Sequence, residues 1–445
     1  MTPEDDFGRT TARAVSWAFL ATTGSKIVTL VGLTVLARLL APREFGLLAF
    51  ALAYIVYVET IADLGTGTAL IYWPDRRDDA AQVTFLVNLA AGVFWCGLTF
   101  VFAPLIADFF NAANGTAIVR ALSLTFLIKH LGNTHDALAR KDLRFRAAAI
   151  PELSMAAVKM GVAVVLAWRG FGAWSLVWAH LAGVIAWTVL FWVVTPWRPG
   201  WRFPKDLFGP MLAYGRGIIF INVLAAFQYQ TDLVMISRWW GMTALGLYQL
   251  AGKIPEATVA MIYRVAGRVL LPAFSRASAA GTSPNQTYLA AARYVGAVTL
   301  PVACGLAILA KPFVLLFFGP KWIAAAPIVS ALAILAGIRA FASNPGDALK
   351  AVGRVGLLAR LGFVRVAAIV IAIVIAVRWS PLAVAVALVV VDGAALLLYV
   401  IAAARAMDVS LKAIARAYAP SLTAAVAMSV VLIAWMRWAP ELLTP

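Results

Sequence analysis

Long apolar stretches separated by short polar connections recur along the whole of this 445-residue chain. A helix needs about 20 apolar residues to cross the hydrocarbon of a bilayer. Stretches of that length fall near 14–40, 44–70, 81–107, 116–138, 147–168, 172–195, 209–237, 243–270, 288–311, 322–349, 356–378, 381–404 and 412–438. The pattern predicts a polytopic membrane protein made of helices, because a helix satisfies its backbone hydrogen bonds internally where lipid offers no partner. The first sixteen residues carry Glu4, Asp5, Asp6, Arg9 and Arg13, and the apolar run after them is longer than a signal-peptide core. It is read as the first span.

Composition agrees: 63% of the residues are hydrophobic and 13% are charged, too few charges for a water-soluble chain of this length. The lysines and arginines then orient the spans. Alternate connections hold 21 of them (Arg76, Arg77, Arg140, Lys141, Arg144 and Arg146 among these) and the others hold 9, Arg38, Arg43 and Arg120 among these. Cationic connections stay in the cytoplasm, so the N-terminus is expected there. The net charge of +17 follows from this topology and not from nucleic-acid binding, which is not expected. The connections are too short to hold an extended catalytic site.

Two turns resemble each other at a constant offset of 200 residues. In "VLARLLAPREFGLLAFA" (Val35–Ala51) and "MISRWWGMTALGLYQLA" (Met235–Ala251), Arg38 matches Arg238, Gly46 matches Gly246, Leu47 matches Leu247 and Ala51 matches Ala251. Six spans lie between the turns, so both face the periplasm. The predicted fold class is all-α: about 12–14 transmembrane helices in two pseudo-symmetric six-helix bundles around a central cavity. The bundles are placed at residues 1–205 and 206–405, with 406–445 an additional C-terminal transmembrane helix. Such a pair suits alternating access.

Seven basic residues fall inside spans: Lys26, Lys129, Lys159, Arg216, Lys253, Arg339 and Arg365. Each costs about 2.5–3.5 kcal/mol at a helix centre on insertion scales, so they are expected to face a cavity or a partner. Counted from the turns, Lys26 and Glu59 lie at one depth, as do Asp232 and Lys253, Lys159 and His180, and the like-charged Arg339 and Arg365, which need an anion between them or separate directions. The functional reading is a cationic cavity for an anionic substrate, with Lys26, Arg216, Lys253, Lys129, Lys159 and Arg339 as its cations. Glu59, Asp63, Asp232 and Glu256 are then ion pairs or coupling-ion sites, and His180 is a further candidate for proton coupling. The competing reading is salt bridges that orient helices. Asn222, Gln228, Gln230 and Asp232 add amides and a carboxylate of the kind that bind sugar hydroxyls, and Tyr229 is the aromatic beside them. Trp239 and Trp240 sit where an interfacial aromatic belt belongs.

No GxxxxGK[ST] loop and no metal-spaced His/Cys cluster is present, so no built-in ATPase, cofactor, metal or catalytic site is expected. Cys96 and Cys304 lie in apolar runs and read as small core residues.

"LARLLAPREFGLLAFA", "FLIKHLGNTHDALARKDLRFRAAAIPE" (Phe126–Glu152), "GFGAWSLVWAHL" (Gly170–Leu181), "TPWRPGWRF" (Thr195–Phe203), "TDLVMISRWWGMTALGLYQLA" (Thr231–Ala251) and "LLPAFSR" (Leu270–Arg276) together resemble the polysaccharide transporter branch of the multidrug/oligosaccharidyl-lipid/polysaccharide flippase superfamily. The resemblance covers roughly residues 10 to 410. It implies two six-helix bundles and, as function, translocation of undecaprenyl-pyrophosphate-linked oligosaccharides across the bacterial inner membrane for exopolysaccharide, O-antigen or capsule (surface polysaccharide or lipopolysaccharide) synthesis. It points to Lys26, Arg216 and Lys253 as cavity cations. Its implied partners are the lipid-linked substrate, membrane lipids and a polymerase or glycosyltransferases of the same pathway. Many members end with a fourteenth helix, whereas here the last expected span, 412–438, ends with Met428–Trp438. The alternatives are a multidrug exporter of the same superfamily, which would want acidic sites, and a non-transporting component of a polysaccharide assembly complex. A membrane glycosyltransferase would carry a large periplasmic loop or an exposed acidic motif, and neither is found.

Overall fold

The computed structural model describes residues 24–112, 114–259 and 284–438. The start of the first predicted span, the end of the eighth, the connection with Arg264, Arg268 and Arg276, and the "LLPAFSR" stretch lie outside the described residues. Within them every predicted span falls on helix, the one at 44–70 on two helices. The helices are α1 (24–39), α2 (Pro42–Ala62), α3 (Thr66–Tyr72), α4 (Arg77–Phe109), α5 (Gly115–Lys141), α6 (Phe145–Trp168), α7 (Ala173–Val194), α8 (Lys205–Ala257), α9 (Pro284–Ile308), α10 (Ala310–Phe317), α11 (Ala326–Ala351, after a 3₁₀ turn at Pro320–Ala325), α12 (Val355–Ala376), α13 (Pro381–Met407) and α14 (Leu411–Trp438). Among the described residues there is no strand, and nine helices are long and apolar enough to cross a membrane, ten if the bent part of α8 counts as one. The chain is an all-α, multi-span membrane protein.

The helix surfaces are those of a lipid-solvated molecule. Val101 and Leu105 on α4, Ile371 on α12 and Val431 on α14 are all exposed. In water such surfaces would aggregate; in a bilayer they meet acyl chains. Trp168, Trp379 and Trp438 at helix ends are exposed too, in the position of an interfacial belt. Helix α5 is too polar to join the nine, because its middle and end carry Lys129, Asp136, Arg140 and Lys141.

The chain divides into two compact units, residues 1–243 and 244–445. In the first, α4 packs along α5, α6 along α7, and α7 on α5. In the second, α9 lies between α11 and α14, and α13 packs on α11 and α12. Tyr288, Phe341 and Tyr418 fill the core of that second unit, with the Phe341 and Tyr418 rings 4.8 Å apart. Helix α14 belongs to this core and is no loose appendage: the Ser421 hydroxyl donates to the Arg293 carbonyl of α9 at 3.4 Å.

The two similar turns break the chain at one register by different means. Ala41 is extended (φ −83°, ψ 156°) and Pro42 starts α2 at N1, where a missing N–H costs nothing. Two hundred residues on, Gly241 takes φ 74°, ψ −177°, a backbone conformation open essentially to glycine alone. It interrupts α8 between the spans predicted at 209–237 and 243–270. Gly46, just inside α2, lies against this second turn. A Cβ built on it would stand 1.8 Å from the Met242 carbonyl oxygen.

The span predicted at 44–70 is two helices. Asp63, Leu64 and Gly65 separate α2 from α3, with Leu64 at φ 47° and Gly65 at φ 67°. Asp63 N–H closes α2 on the Glu59 carbonyl at 3.1 Å. A periodicity argument misses this break, because both sides of it are apolar. Gly65 is required twice over: its φ is left-handed, and a Cβ there would lie 2.6 Å from Gly215 Cα on α8. Gly65→Ala is expected to lower stability by roughly 1–3 kcal/mol, read as a fall in the melting temperature of the purified protein. An unchanged melting temperature would show that α8 yields at this contact.

Candidate functional site

Around that break the first unit encloses a cavity of about 630 Å³ lined by α2, α3, α5 and α8. Its wall sets polar and charged side chains among apolar ones such as Val56, Ile71 and Ala225. From α2 come Glu59 and Thr60, and Asp63 follows at the break; α3 adds Thr68; α5 adds Lys129, His130, Asn133, Asp136 and Arg140; α8 adds Asn222, Tyr229 and Gln230. The α8 residues lie on one helical face, with Tyr229 and Gln230 about two turns beyond Asn222, at i+7 and i+8. Gln228 and Asp232, singled out by sequence, are not on that face; Asp232 is half-buried, its Oδ1 accepting from the Leu233 N–H at 2.9 Å.

Three carboxylates and two bases meet here. Lys129 Nζ lies 2.7 Å from Glu59 Oε2, tying α5 to α2. Arg140 Nε lies 2.7 Å from Asp136 Oδ1, one turn back on α5, and its Nη2 is 3.7 Å from Glu152 of α6. Asp63 makes no side-chain hydrogen bond or ion pair among the described residues. His130 Nδ1 donates to the Phe126 carbonyl at 2.7 Å. Its Nε2 is therefore an acceptor, buried and without a partner among the described residues. With the histidine neutral the cavity carries one net negative charge.

Depth counting in the sequence paired Lys26 with Glu59; the structure gives Glu59 to Lys129. Lys26 is half-buried on α1, and Lys159 is half-buried where α6 crosses Gly183 of α7. Arg216 is exposed on α8. Lys253 Nζ is 3.0 Å from Glu256 on the next turn. Trp239 and Trp240 are exposed at the end of the first α8 segment, away from the cavity wall. His180 of α7 is buried, with neither ring nitrogen hydrogen-bonded among the described residues.

The second unit answers the puzzle of Arg339 and Arg365 at one depth. An anion does lie between them, and the chain supplies it. Asp392 of α13 is buried, with Oδ2 at 2.7 Å from Arg339 Nε of α11 and Oδ1 at 2.6 Å from Arg365 Nε of α12. Sequence reasoning missed Asp392. The signal was there, a single carboxylate in the run "VVVDGAALLL", and the same argument that flagged buried lysines applies to it. Asn133 and Asp136 were missed although both lie inside the span predicted at 116–138, because the search there was for basic residues.

Among the described residues no group of three His, Cys, Asp or Glu side chains could hold a metal ion. The first unit thus holds an ion-paired cavity inside a helical membrane protein.

A family model described as polysaccharide biosynthesis protein matches residues 35–327. The chain belongs to this family. The match covers the whole cavity wall. Among curated relatives, the succinoglycan biosynthesis transport protein ExoT of Rhizobium meliloti (strain 1021) is 26% identical over 358 residues, 80% of this chain and 72% of that protein. The lipopolysaccharide biosynthesis protein WzxC of Escherichia coli (strain K12) is 25% identical over 349 residues, 78% and 71% of the two chains. Among solved structures, the lipid II flippase MurJ in its inward closed conformation superposes with a TM-score of 0.75, covering 96% of this chain and 99% of that one at 13% identity. An inward-facing multidrug resistance MATE transporter of the MOP superfamily follows at 0.59, with 92% and 94% covered and 15% identity. At such identities the likeness is one of fold: this polysaccharide biosynthesis protein has the fold of the flippases and exporters.

Proposed function

We propose that this polysaccharide biosynthesis protein is a flippase. It moves undecaprenyl-pyrophosphate-linked oligosaccharide repeat units from the cytoplasmic to the periplasmic leaflet of the bacterial inner membrane, for exopolysaccharide, O-antigen or capsule synthesis. The observation that carries this reading is the polar cavity of about 630 Å³, placed in a membrane-spanning member of that family. A lipid-linked glycan needs a hydrated path for its sugars and an apolar exterior for its tail, and a membrane protein with this cavity offers both. Residues 1–205 and 206–405 act as two bundles that alternate access, 406–445 adds a helix, and the N-terminus lies in the cytoplasm. The diphosphate is countered by basic side chains of the spans, Arg216 of α8 and Lys26 of α1 foremost. Glu59, Asp63, Asp232 and Glu256 remain as ion pairs or coupling-ion sites. Polymerases and glycosyltransferases of the same pathway are its natural partners.

In cells lacking the protein, the oligosaccharide-lipid is expected to accumulate in the cytoplasmic leaflet and surface polysaccharide to disappear. Normal surface polysaccharide, with no redundant transporter present, would sink the reading. Neutralising Lys26 and Arg216 together is expected to reduce export by more than about tenfold, at unchanged protein level. A non-transporting scaffold would work as before.

One observation favours a second reading. Three carboxylates against two bases suit a cationic substrate, as a multidrug exporter of this superfamily would carry. Raised resistance to cationic drugs on overexpression, with polysaccharide unaffected by deletion, would decide for it.

A further inference from the structure

The cavity of the first unit is the wrong electrostatic shape for a diphosphate. Its two cations are already engaged: Lys129 by Glu59 at 2.7 Å and Arg140 by Asp136 at 2.7 Å. The third carboxylate, Asp63, has no countercharge within ion-pair distance among the described residues. A diphosphate entering here would meet a net negative wall at close range and in a medium of low dielectric, where like charges repel most strongly. To displace Glu59 or Asp136 from its base would leave a carboxylate stranded.

The same wall suits sugar hydroxyls. A hydroxyl donates one hydrogen bond, and a carboxylate is the strongest acceptor available for it. Asp63 supplies such an acceptor at the end of α2. Asn133 of α5 faces the cavity with an amide, and so do Asn222 and Gln230 of α8; each both donates and accepts. Tyr229 stands beside Gln230 and offers a ring for the apolar face of a pyranose. We infer that this cavity is the glycan subsite of the transporter, that it takes neutral or amino-substituted sugars, and that the diphosphate of the same substrate binds elsewhere. Asp63 is the anchoring acceptor. A uronate placed in this subsite is disfavoured for the reason the diphosphate is.

This inference rests on the flippase reading and is tested separately from it. The full-length protein in lipid nanodiscs is titrated with two probes: the oligosaccharide-lipid extracted from cells lacking the transporter, and undecaprenyl diphosphate without sugars. Asp63→Asn and Asn133→Ala are each expected to weaken binding of the glycosylated lipid by about tenfold, while binding of the bare diphosphate lipid stays as in wild type. If both lipids lose affinity alike, or the bare lipid alone responds, the cavity holds the diphosphate and the inference is overturned. A coupling role for Asp63 without sugar contact predicts equal equilibrium binding of both lipids to the variant and wild type, and overturns it too. Wild-type protein that binds neither lipid refutes the flippase reading itself. Folding of each variant is checked by gel filtration.

Discussion

Asp392→Ala is expected to destabilise the second unit by about 3–5 kcal/mol, the loss seen when one partner is removed from a buried ion pair. Asp392 is 2% exposed and holds two guanidiniums, Arg339 at 2.7 Å and Arg365 at 2.6 Å. Without it two positive charges face each other across the width of one carboxylate, inside the membrane. Their helices, α11 and α12, must then part or admit water. Asp392→Asn keeps the shape but not the charge and should lose nearly as much. The triple variant Arg339→Met/Asp392→Leu/Arg365→Met removes the whole cluster and should recover most of the loss, because a packed apolar cluster replaces a desolvated ionic one. Thermal unfolding of the purified protein, followed by fluorescence-detected gel filtration, reads all three. A melting temperature for Asp392→Ala within about 2 °C of wild type would refute the argument.

Gly46→Ala carries the second large effect. The added methyl would meet the Met242 carbonyl oxygen at 1.8 Å. That atom belongs to the backbone at a turn fixed by Gly241, so no side-chain rotation relieves the clash. Overpacking against an unyielding neighbour costs about 3 kcal/mol, and the two turns must separate to accommodate it. The contrast is Gly161→Ala on α6, where a Cβ would meet nothing within 4 Å; there alanine should be neutral or slightly stabilising, since it favours helix over glycine. Expression level and melting temperature of the two variants side by side give the answer. If both behave alike, the close approach of Gly46 to Met242 does not hold the first unit together.

The spans were legible because the bilayer imposes one rule on every segment that crosses it. Each needs enough apolar residues and internal hydrogen bonds, and both are local properties. That two like charges at one depth, Arg339 and Arg365, need an anion between them or separate directions could also be read from the sequence. Which anion could not, because Asp392 comes from a third helix and nothing in its own neighbourhood names its partners. The break at Asp63–Gly65 was hidden for a related reason. Apolar residues flank it, so no change of polarity marks the point where the dihedrals of Leu64 and Gly65 change sign.

The cavity shows the same division most clearly. That Glu59, Asp63, Lys129 and Asn222 were too polar for lipid could be read from the sequence, since each lies in an apolar stretch and must hide from it. Which of them meet could not. Lys129 reaches Glu59 across 70 residues of chain, and Asn222 arrives from α8. The helical character of each span, its preference for lipid and the family resemblance are written locally. The charge balance of the cavity is a sum over side chains of α2, its C-terminal end and α5, and only their packing decides which charges pair and leaves Asp63 facing the cavity with no ion pair among the described residues.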